Sequence, residues 1–302
     1  MAVLFDSDVD DGLRRAGLYS GDIYAYSPTT ATLAFASFTQ DYVRDYFDGR
    51  DPESAQYEMD VLEYAALLAK LKPAFIHHDE SKRLIRQLLR DFGCDPDDTY
   101  FDVPRLRTST SDGYLTTGIA FAFHPHRDTW YSAPMCQINW WMPVFPMDGN
   151  NGMAFHPRYF SESVLNSSSD YDYQRWNAES RFNASQHVGV DTRQQPKALS
   201  KVEMTPDLRL VLPVGGIMLF SGAQLHSSCE NTSGRTRFSI DFRTVNRSDA
   251  LGLVGAENVD SYCTGTTMAD YLRVSDLEHL DDDIIGTYLP CHPQSAPAAS
   301  QH

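Results

Sequence analysis

The stretch FHPHRDTW, residues 123–130, is the part of the chain around which we expect the fold to be organised. In an extended strand, side chains two residues apart point the same way, so His126 and Asp128 share a face. With a second imidazole from elsewhere, they would form a ligand set that binds iron(II) and leaves coordination positions open. His124 has the same parity and is the alternative ligand, but only His126 gives the spacing H-x-D.

The segment GGIMLFSGAQLH, residues 215–226, supplies a second histidine. Its glycine pair opens a short apolar run that predicts a strand, a turn follows, and His226 stands at the start of another strand. This histidine can join His126 and Asp128. The sequence therefore predicts a metal site with these three side chains as ligands.

The segment RFSIDFR, residues 237–243, alternates apolar and polar side chains and predicts a strand with two distinct faces. Arg237 and Ser239 lie on the same face, and an arginine beside a hydroxyl group is suited to bind a carboxylate. Arg235 has the same parity as Arg237 and is the alternative cation.

Short runs rich in Thr, Val, Ile, Phe and Trp follow residue 100 and are separated by Pro and Gly. Such runs are typical of strands, and many short strands with irregular connections predict a sandwich or jelly roll. The predicted strands cover residues 114–123, 135–145, 152–156, 208–212, 217–220 and 237–245.

Helices are predicted mainly before residue 98. Apolar periodicity and end signals predict them over residues 38–47, from 51 to about 71, and from 79 to a stop at Gly93. Near the C-terminus, Ser275 and Glu278 form the pattern of a capping box, which predicts a short helix ending at Gly286. The tail from Pro290 has a composition typical of disorder.

Residues 161–200 do not follow the rhythm of short strands. They are polar and aromatic, and a long irregular segment inside a compact domain is usually a lid or a binding loop. Its candidate ligand-contacting residues are Tyr171, Tyr173, Arg175, Trp176 and Arg181. We therefore expect this insert to close over a bound substrate.

The charge of the chain argues against two classes of partner. Its 41 acidic and 25 basic residues give a formal net charge of −16, which would repel nucleic acid and anionic membranes. The N-terminal sequence has neither a basic region nor a long apolar run, so we expect no signal peptide and a cytoplasmic protein. A small molecule is the expected partner, and the sequence indicates no oligomeric state.

Several motifs resemble those of the phytanoyl-CoA dioxygenase-like family of iron(II)/2-oxoglutarate-dependent oxygenases. The matching segments are HRD at 126–128, HSS at 226–228 and RFS at 237–239, supported by PVGGIMLFSGAQLH at 213–226 and NWWMPV at 139–144. The resemblance covers roughly residues 100–245. It implies a double-stranded β-helix, which is a jelly-roll or cupin-like core, in an α+β and mainly β chain with supporting N-terminal helices.

The resemblance also implies cofactors and their ligands. Iron(II) would be held by His126, Asp128 and His226, and 2-oxoglutarate would be the cosubstrate of O2. Ser228, two residues after the distal histidine, and Arg237, eleven residues after it, would bind 2-oxoglutarate. The family also places a polar residue before the H-x-D strand against 2-oxoglutarate, and three residues remain candidates for that position: Arg107, Thr110 and Thr116.

Five residues flank the expected site and are candidates for contact with substrate or cosubstrate. They are Trp130, Gln137, Asn139, His156 and Trp176. Residues 1–302 are expected to form a single oxygenase domain, with helical support over 1–98, the core over 99–250 and a C-terminal segment over 251–302.

The expected activity is oxidation, most simply hydroxylation, of a C–H bond in a small molecule such as a secondary metabolite, which would make the enzyme biosynthetic. Desaturation and ring closure share the same chemistry. Two alternatives are a jelly-roll binding protein without catalysis and a cupin-like metalloenzyme that does not use 2-oxoglutarate.

Overall fold

The computed structural model describes residues 1–120, 124–180 and 187–289 of the chain. Its helices are α1 (Asp11–Tyr19), α2 (Thr30–Tyr46), α3 (Val61–His77), α4 (Asp79–Asp91), α5 (Tyr173–Glu179), α6 (Arg247–Leu251) and α7 (Asp282–Tyr288). Its strands are β1 (Val3–Phe5), β2 (Ile23–Tyr26), β3 (Thr99–Phe101), β4 (Arg105–Ser109), β5 (Ile138–Pro143), β6 (Met153–Phe155), β7 (Leu208–Arg209), β8 (Ile217–Ser221), β9 (His226–Ser228), β10 (Arg237–Asn246) and β11 (Leu272–Arg273).

One large sheet organises this mixed α/β fold. Its eight strands run in the order β1-β2-β8-β5-β10-β3-β11, and β4 also pairs with β10. The long strand β10 is antiparallel to β3, β4 and β5. Its predicted alternation is confirmed, because Phe238, Ile240 and Phe242 are buried in the main core. The opposite face carries the polar residues of the strand: Arg237, Ser239, Asp241 and Arg243.

Helices cover the apolar face of the large sheet. Phe35 of α2, Leu68 of α3 and Leu88 of α4 are fully buried in the same core as Ile240 of β10. Their spacing places apolar side chains on one side of each helix, which is why these helices can pack against the sheet. These three helices therefore pack on the large sheet through their apolar sides.

A smaller sheet faces the other side of the large one. Its three strands run in the order β7-β6-β9. Trp141 and Phe220 of the large sheet share a buried cluster with Met153 and Phe155 of the small sheet. The polar face of β10 is therefore turned toward the space between the sheets, where the start of β9 presents His226.

The helix predicted from residue 51 begins and ends later than expected. Asp60 caps α3 by accepting a hydrogen bond from the Leu62 backbone N–H at 2.8 Å, and the helix continues through Pro73. The apolar stripe of α3 ends at Phe75, which is fully buried beyond the proline. Burial of that ring offsets the backbone hydrogen bond that Pro73 removes.

The prediction of a strand over residues 114–123 is wrong for residues 114–120, the part of this range that the structure describes. Residues 114–120 form turns and a short 3-10 segment, Gly118–Ala120. Gly113 and Gly118 have positive φ angles of 69° and 63°, a conformation that does not fit a regular strand. Residues 121–123 lie outside the described ranges.

The capping box predicted at Ser275 and Glu278 is also wrong. Asp276 instead accepts from the Glu278 backbone N–H at 3.0 Å and pairs with Arg273, and Leu277 has a φ of 70°. These contacts stabilise a turn, so α7 begins only at Asp282 and contains Gly286.

Within the described ranges, no helix is both long and apolar enough to cross a membrane.

Candidate metal centre

Three buried side chains converge between the two sheets. Ligand atoms of His126, Asp128 and His226 all lie within 4.8 Å of one another, the one such group of metal-binding side chains in the described ranges. Asp128 Oδ1 lies 3.6 Å from His126 Nε2 and 3.9 Å from His226 Nε2. Two imidazole nitrogens and one carboxylate oxygen are a donor set that fits iron(II).

Backbone pairing brings the two histidines together. His126 and His226 form an isolated antiparallel bridge, in which each backbone N–H donates to the other residue's carbonyl at 3.0 Å. Their rings are 4.4 Å apart. The predicted strand through H-x-D is therefore reduced to one bridge, and Asp128 already begins a 3-10 turn, Asp128–Tyr131. Because Arg127 is still extended, His126 and Asp128 do share a side.

Hydrogen bonds fix the tautomer of both histidines. His126 Nδ1 donates to the His124 carbonyl at 2.8 Å, and His226 Nδ1 donates to the Gln224 carbonyl at 3.0 Å. A carbonyl can only accept, so each Nδ1 carries the proton and each Nε2 presents a lone pair to Asp128. His124, the alternative ligand, is exposed and contributes its backbone carbonyl.

Electrostatics keep all three groups in the forms that bind a metal. Burial, reinforced by the neighbouring imidazole, lowers the pKa of His126 to about 3, and burial also lowers the pKa of His226. Burial acts to raise the pKa of Asp128, but Arg243 and the two imidazoles outweigh it and bring that pKa below its usual range. Neutral imidazoles and an ionised carboxylate are the protonation states that metal binding requires.

The second oxygen of Asp128 faces away from the histidines. Gln137 Nε2 donates to Asp128 Oδ2 at 2.9 Å and to Asn139 Oδ1 at 2.8 Å, and Arg243 Nε lies 3.5 Å from Asp128 Oδ2. Gln137 and Asn139, both predicted near the site, are thus next to a candidate ligand. The guanidinium of Arg243 also pairs with Asp102 at 3.3 Å and Asp241 at 3.5 Å.

Arg237 is a buried cation that has no carboxylate partner in the described part of the chain. Its Nη1 donates to the carbonyls of Asn151 and Gly152 at 3.0 and 3.2 Å, and its guanidinium lies over Trp141 at 5.6 Å. Among the described residues, no carboxylate lies within ion-pair distance, and Nε has no hydrogen-bond acceptor. Burial lowers the pKa of Arg237 to about 10. A buried positive charge that is not balanced by a carboxylate is suited to bind an anionic ligand.

The predicted hydroxyl groups lie near this arginine. Ser239 is fully buried on the same face of β10, and its Oγ has no hydrogen-bond partner among the described residues. Ser228 pairs in register with Met153, next to the Gly152 carbonyl that Arg237 contacts. Arg235, the alternative cation, is 60% exposed and faces Glu53 at 4.0 Å.

The three candidates for the polar contact to 2-oxoglutarate before the H-x-D motif have different surroundings. Arg107 is opposite Ser239 in the register of β4 and β10 and forms a two-pronged ion pair with Asp241, at 2.6 and 3.2 Å. The hydroxyl of Thr110 is engaged with the backbone of Leu115 at 2.9 and 3.0 Å, while Thr116 is exposed. Of the three, Arg107 is the one that faces the site.

Trp130 is a core residue of the surrounding shell. It is fully buried in a cluster with Tyr159, Val164, Val202 and Leu225, and its indole N–H donates to Asp260 at 2.7 Å. Its side chain is fully buried in this cluster, and its one polar side-chain atom is hydrogen-bonded to Asp260. Trp130 was predicted near the site because it follows the H-x-D motif in the sequence. In the structure it packs in this cluster instead.

Arg127, between the two ligands of H-x-D, anchors the surroundings of the centre. Its Nε and Nη2 donate to Asp260 at 2.9 and 3.2 Å, and both side chains are 2% exposed. Arg127 also donates to the carbonyls of Ala223, Tyr159 and Glu162. The buried ion pair thus joins the turn of the H-x-D motif to the C-terminal segment, and the hydrogen bond to the Glu162 carbonyl adds the start of the insert.

His156 lies on the opposite face from the ligands. Its backbone N–H donates to the Leu225 carbonyl at 3.0 Å, and its Nε2 is 3.1 Å from Ser227 Oγ. Because Ser227 and His226 are adjacent in β9, their side chains point to opposite faces. His156 is therefore placed away from the metal ligands, as a packed residue.

The insert reaches the centre through a row of aromatic rings. Tyr131 lies 5.6 Å from the ring of His126, Tyr171 lies 5.5 Å from Tyr131, and Trp176 lies 6.0 Å from Tyr171. Arg193 covers the far side of Trp176 at 5.3 Å. Trp176 is half-buried, and the ring contacts of the described residues connect it to His126 through Tyr171 and Tyr131. Arg181, also named for this insert, lies outside the described residues.

Four residues near the centre were not assigned a site role from the sequence. They are Tyr131, Arg243, Asp260 and Tyr271. The alternation of residues 237–243 placed Arg243 on the same face as Arg237, so the sequence did indicate that Arg243 faces the site. Asp260 and Tyr271 lie beyond the resembling region, and no motif marked them.

Comparison with known proteins gives similarity to solved structures at low sequence identity. No protein-family model and no curated protein sequence matches the chain. Similar solved structures include EvdO2 from Micromonospora carbonacea var. aurantiaca complexed with 2-oxoglutarate, at 10% identity and TM-score 0.44, covering 80% of this chain and 92% of that chain. The epimerase SnoN in complex with Fe3+, alpha ketoglutarate and nogalamycin RO matches at 12% and 0.41, covering 78% and 85%. AviO1 from Streptomyces viridochromogenes Tue57 matches at 12% and 0.38, covering 77% and 95%.

Proposed function

We propose that the chain is an iron(II)/2-oxoglutarate-dependent dioxygenase that oxidises, most simply hydroxylates, a C–H bond of a small molecule such as a secondary metabolite. One observation carries the proposal. Two imidazole nitrogens with free lone pairs and one ionised carboxylate converge between the sheets, and the polar face of β10 carries a buried arginine that has no carboxylate partner among the described residues. Three protein ligands leave coordination positions for a chelating cosubstrate and O2. The arginine would hold the far end of that cosubstrate.

We also propose a domain organisation that goes with this function. The two facing sheets would form the double-stranded β-helix of a single oxygenase domain over residues 1–302. Residues 1–98 would support a core over 99–250, and the C-terminal segment from 251 would complete the surroundings of the metal. The ion pair of Arg127 with Asp260 supports this last point, because it joins the core to the C-terminal segment.

Each residue of the site has a definite task in this proposal. His126 and His226 present Nε2 to iron(II), and their Nδ1 hydrogen bonds hold the rings in position. Arg237 would bind the distal carboxylate of 2-oxoglutarate, with the hydroxyl groups of Ser239 and Ser228 beside it. Bound iron with 2-oxoglutarate and O2 supplies the oxidation, in which 2-oxoglutarate becomes succinate and CO2.

The proposal is tested by turnover of 2-oxoglutarate. The protein is reconstituted anaerobically with iron(II) and 2-oxoglutarate, O2 is admitted, and succinate is measured with and without candidate metabolites. Metabolite-stimulated succinate is the expected result, and the same assay on an Asp128→Ala variant is the control. A metabolite that binds without succinate formation would indicate the binding protein, and its conversion without 2-oxoglutarate would indicate the other metalloenzyme.

The insert over residues 161–200 is proposed to act as a lid. Arg127 holds its first residues, and the Ser167 backbone N–H donates to the Lys197 carbonyl at 3.0 Å, so its two limbs meet. Between these points, Tyr171 packs on Tyr131 beside His126. Closure there would keep water away from the reacting atoms.

Removal of the lid is expected to uncouple the reaction. Deleting residues 168–196 and joining Ser167 to Lys197 should leave metal and 2-oxoglutarate binding intact, because no proposed ligand lies in the deleted segment. It should weaken substrate binding and raise the succinate formed per substrate oxidised. Limited proteolysis of the full chain, with and without substrate, is the second measurement. Unchanged coupling in the deletion variant, together with equal cleavage in both states, would contradict a lid.

A further inference from the structure

Gln137 connects Asp128 to the C-terminal segment. Its Nε2 donates to Asp128 Oδ2 at 2.9 Å and to Asn139 Oδ1 at 2.8 Å, while its Oε1 accepts from the Tyr271 hydroxyl at 2.8 Å. Gln137 is 3% exposed and Tyr271 is 1% exposed. An ionised carboxylate can only accept, so this network requires the amide N–H groups to face Asp128 and the amide oxygen to face Tyr271.

The two oxygens of Asp128 therefore have different surroundings. Oδ1 faces His126 Nε2 and His226 Nε2, whereas Oδ2 faces Gln137 and Arg243. Carboxylates bind metal ions through one oxygen or through both. A hydrogen bond to Oδ2 opposes rotation of the carboxylate toward two-oxygen binding, because that rotation would break the bond inside a buried site.

Arg243 is a weaker restraint on Oδ2 than Gln137. Its Nε stands 3.5 Å from Oδ2, beyond the distance of a good charge-assisted hydrogen bond, and its guanidinium is shared with Asp102 and Asp241. Gln137 makes the short contact at 2.9 Å. Tyr271 in turn gives the amide oxygen its hydrogen-bond donor, and burial raises the pKa of Tyr271, so the hydroxyl keeps its proton.

We propose that Tyr271 and Gln137 are positioning residues that restrict Asp128 to one-oxygen coordination and so keep a metal coordination position open. This inference rests on the metal centre of the proposed function. The position kept open is one that 2-oxoglutarate or O2 needs. The C-terminal segment, which lies outside the region of resemblance, would then help to set the number of open positions at the metal.

The test counts the water molecules bound to Mn(II) in place of iron. An octahedral ion with three protein donors keeps about three waters, and a second oxygen from Asp128 would displace one of them. In Tyr271→Phe and Gln137→Met, we expect the water-proton relaxivity per bound Mn(II) to fall by about a third. The kcat/KM for 2-oxoglutarate should fall through a higher KM, by about 10- to 100-fold, the usual loss of activity when a group that orients a metal ligand is removed.

Tyr288→Phe is the matched control. Tyr288 also lies in the C-terminal segment and donates its hydroxyl to the Ala250 carbonyl at 2.9 Å, with Cys136 Sγ 3.9 Å from the same hydroxyl oxygen. It makes no contact with Gln137 or Asp128 among the described residues. We expect the relaxivity and the KM of Tyr288→Phe to equal those of the wild-type protein. This should hold even if its thermal unfolding temperature falls as much as that of Tyr271→Phe.

The outcomes separate this inference from the proposed function. Wild-type relaxivity and KM in Tyr271→Phe, with only lower thermal stability, would overturn the positioning role and leave the metal centre standing. Failure of the wild-type protein to bind Mn(II) would overturn both. If Gln137→Met does not fold, Tyr271→Phe decides alone, because it removes a single oxygen atom and keeps the ring.

Discussion

Replacing His226 with alanine is expected to abolish iron(II) binding and, with it, the conversion of 2-oxoglutarate to succinate. The reason is that His226 supplies one of three protein donors, and its Nε2 already presents a lone pair to the site. Losing a group that only orients a ligand costs about 10- to 100-fold in metal affinity, so losing the ligand itself should cost more. Anaerobic titration with iron(II), followed by the succinate assay, measures both effects.

His226→Ala should remain folded, which makes the result interpretable. The bridge to His126 uses backbone groups, and these are kept in alanine. His124→Ala is the matched control, since His124 is exposed and its contribution to the centre is a backbone carbonyl. Metal binding by His226→Ala at the wild-type affinity, or its loss in His124→Ala alone, would refute the assignment of the ligands.

The sequence predicted the three candidate ligands because local patterns marked each of them, and because these patterns occur together. The H-x-D spacing marked His126 and Asp128, and a glycine-led strand pointed to His226. The alternation in β10 likewise identified Arg237 and Ser239 on one face, and the structure keeps that alternation. Local periodicity carries over into the fold when a strand has one apolar face and one polar face.

Contacts across the chain could not be predicted in the same way. Tyr271 reaches Gln137 over 134 residues, and Asp260 reaches Arg127 over 133 residues. Neither residue stands in a repeated pattern or a motif. Only the folded structure, in which the C-terminal segment packs behind H-x-D, brings these side chains to the centre.

Nearness in sequence to the ligands did not predict which other residues face the site. Trp130 follows Asp128 by two residues, yet it points into a separate core, because the chain enters a 3-10 turn at Asp128 and leaves the extended conformation. His156 follows a strand that faces the site, but as the next residue it points the other way. Both cases depend on the local backbone conformation, which the composition of these segments did not determine.

A direct effect on the binding of the cosubstrate is expected from Arg237. In Arg237→Ala, the KM for 2-oxoglutarate should rise about tenfold or more, since a hydrogen bond to a charged group contributes about 1.5–3 kcal/mol and 1.4 kcal/mol corresponds to a factor of ten. Iron(II) affinity should stay the same, because Arg237 is not a proposed ligand. Steady-state kinetics at varied 2-oxoglutarate concentration and a separate metal titration measure the two quantities.

Stability distinguishes a binding role of Arg237 from a structural one. The guanidinium is buried, has no carboxylate within ion-pair distance among the described residues, and leaves Nε without an acceptor. Keeping such a charge in the interior costs free energy until an anion binds. Arg237→Met removes the charge and keeps apolar bulk over Trp141, but it also removes the hydrogen bonds to the Asn151 and Gly152 carbonyls. These effects oppose each other, so the unfolding temperature should change little. 2-Oxoglutarate with metal should raise that temperature in the wild-type protein and raise it less in the variant. Arg235→Ala is the control, because Arg235 is 60% exposed, and a raised KM there with a normal KM in Arg237→Ala would move the carboxylate-binding cation two residues upstream.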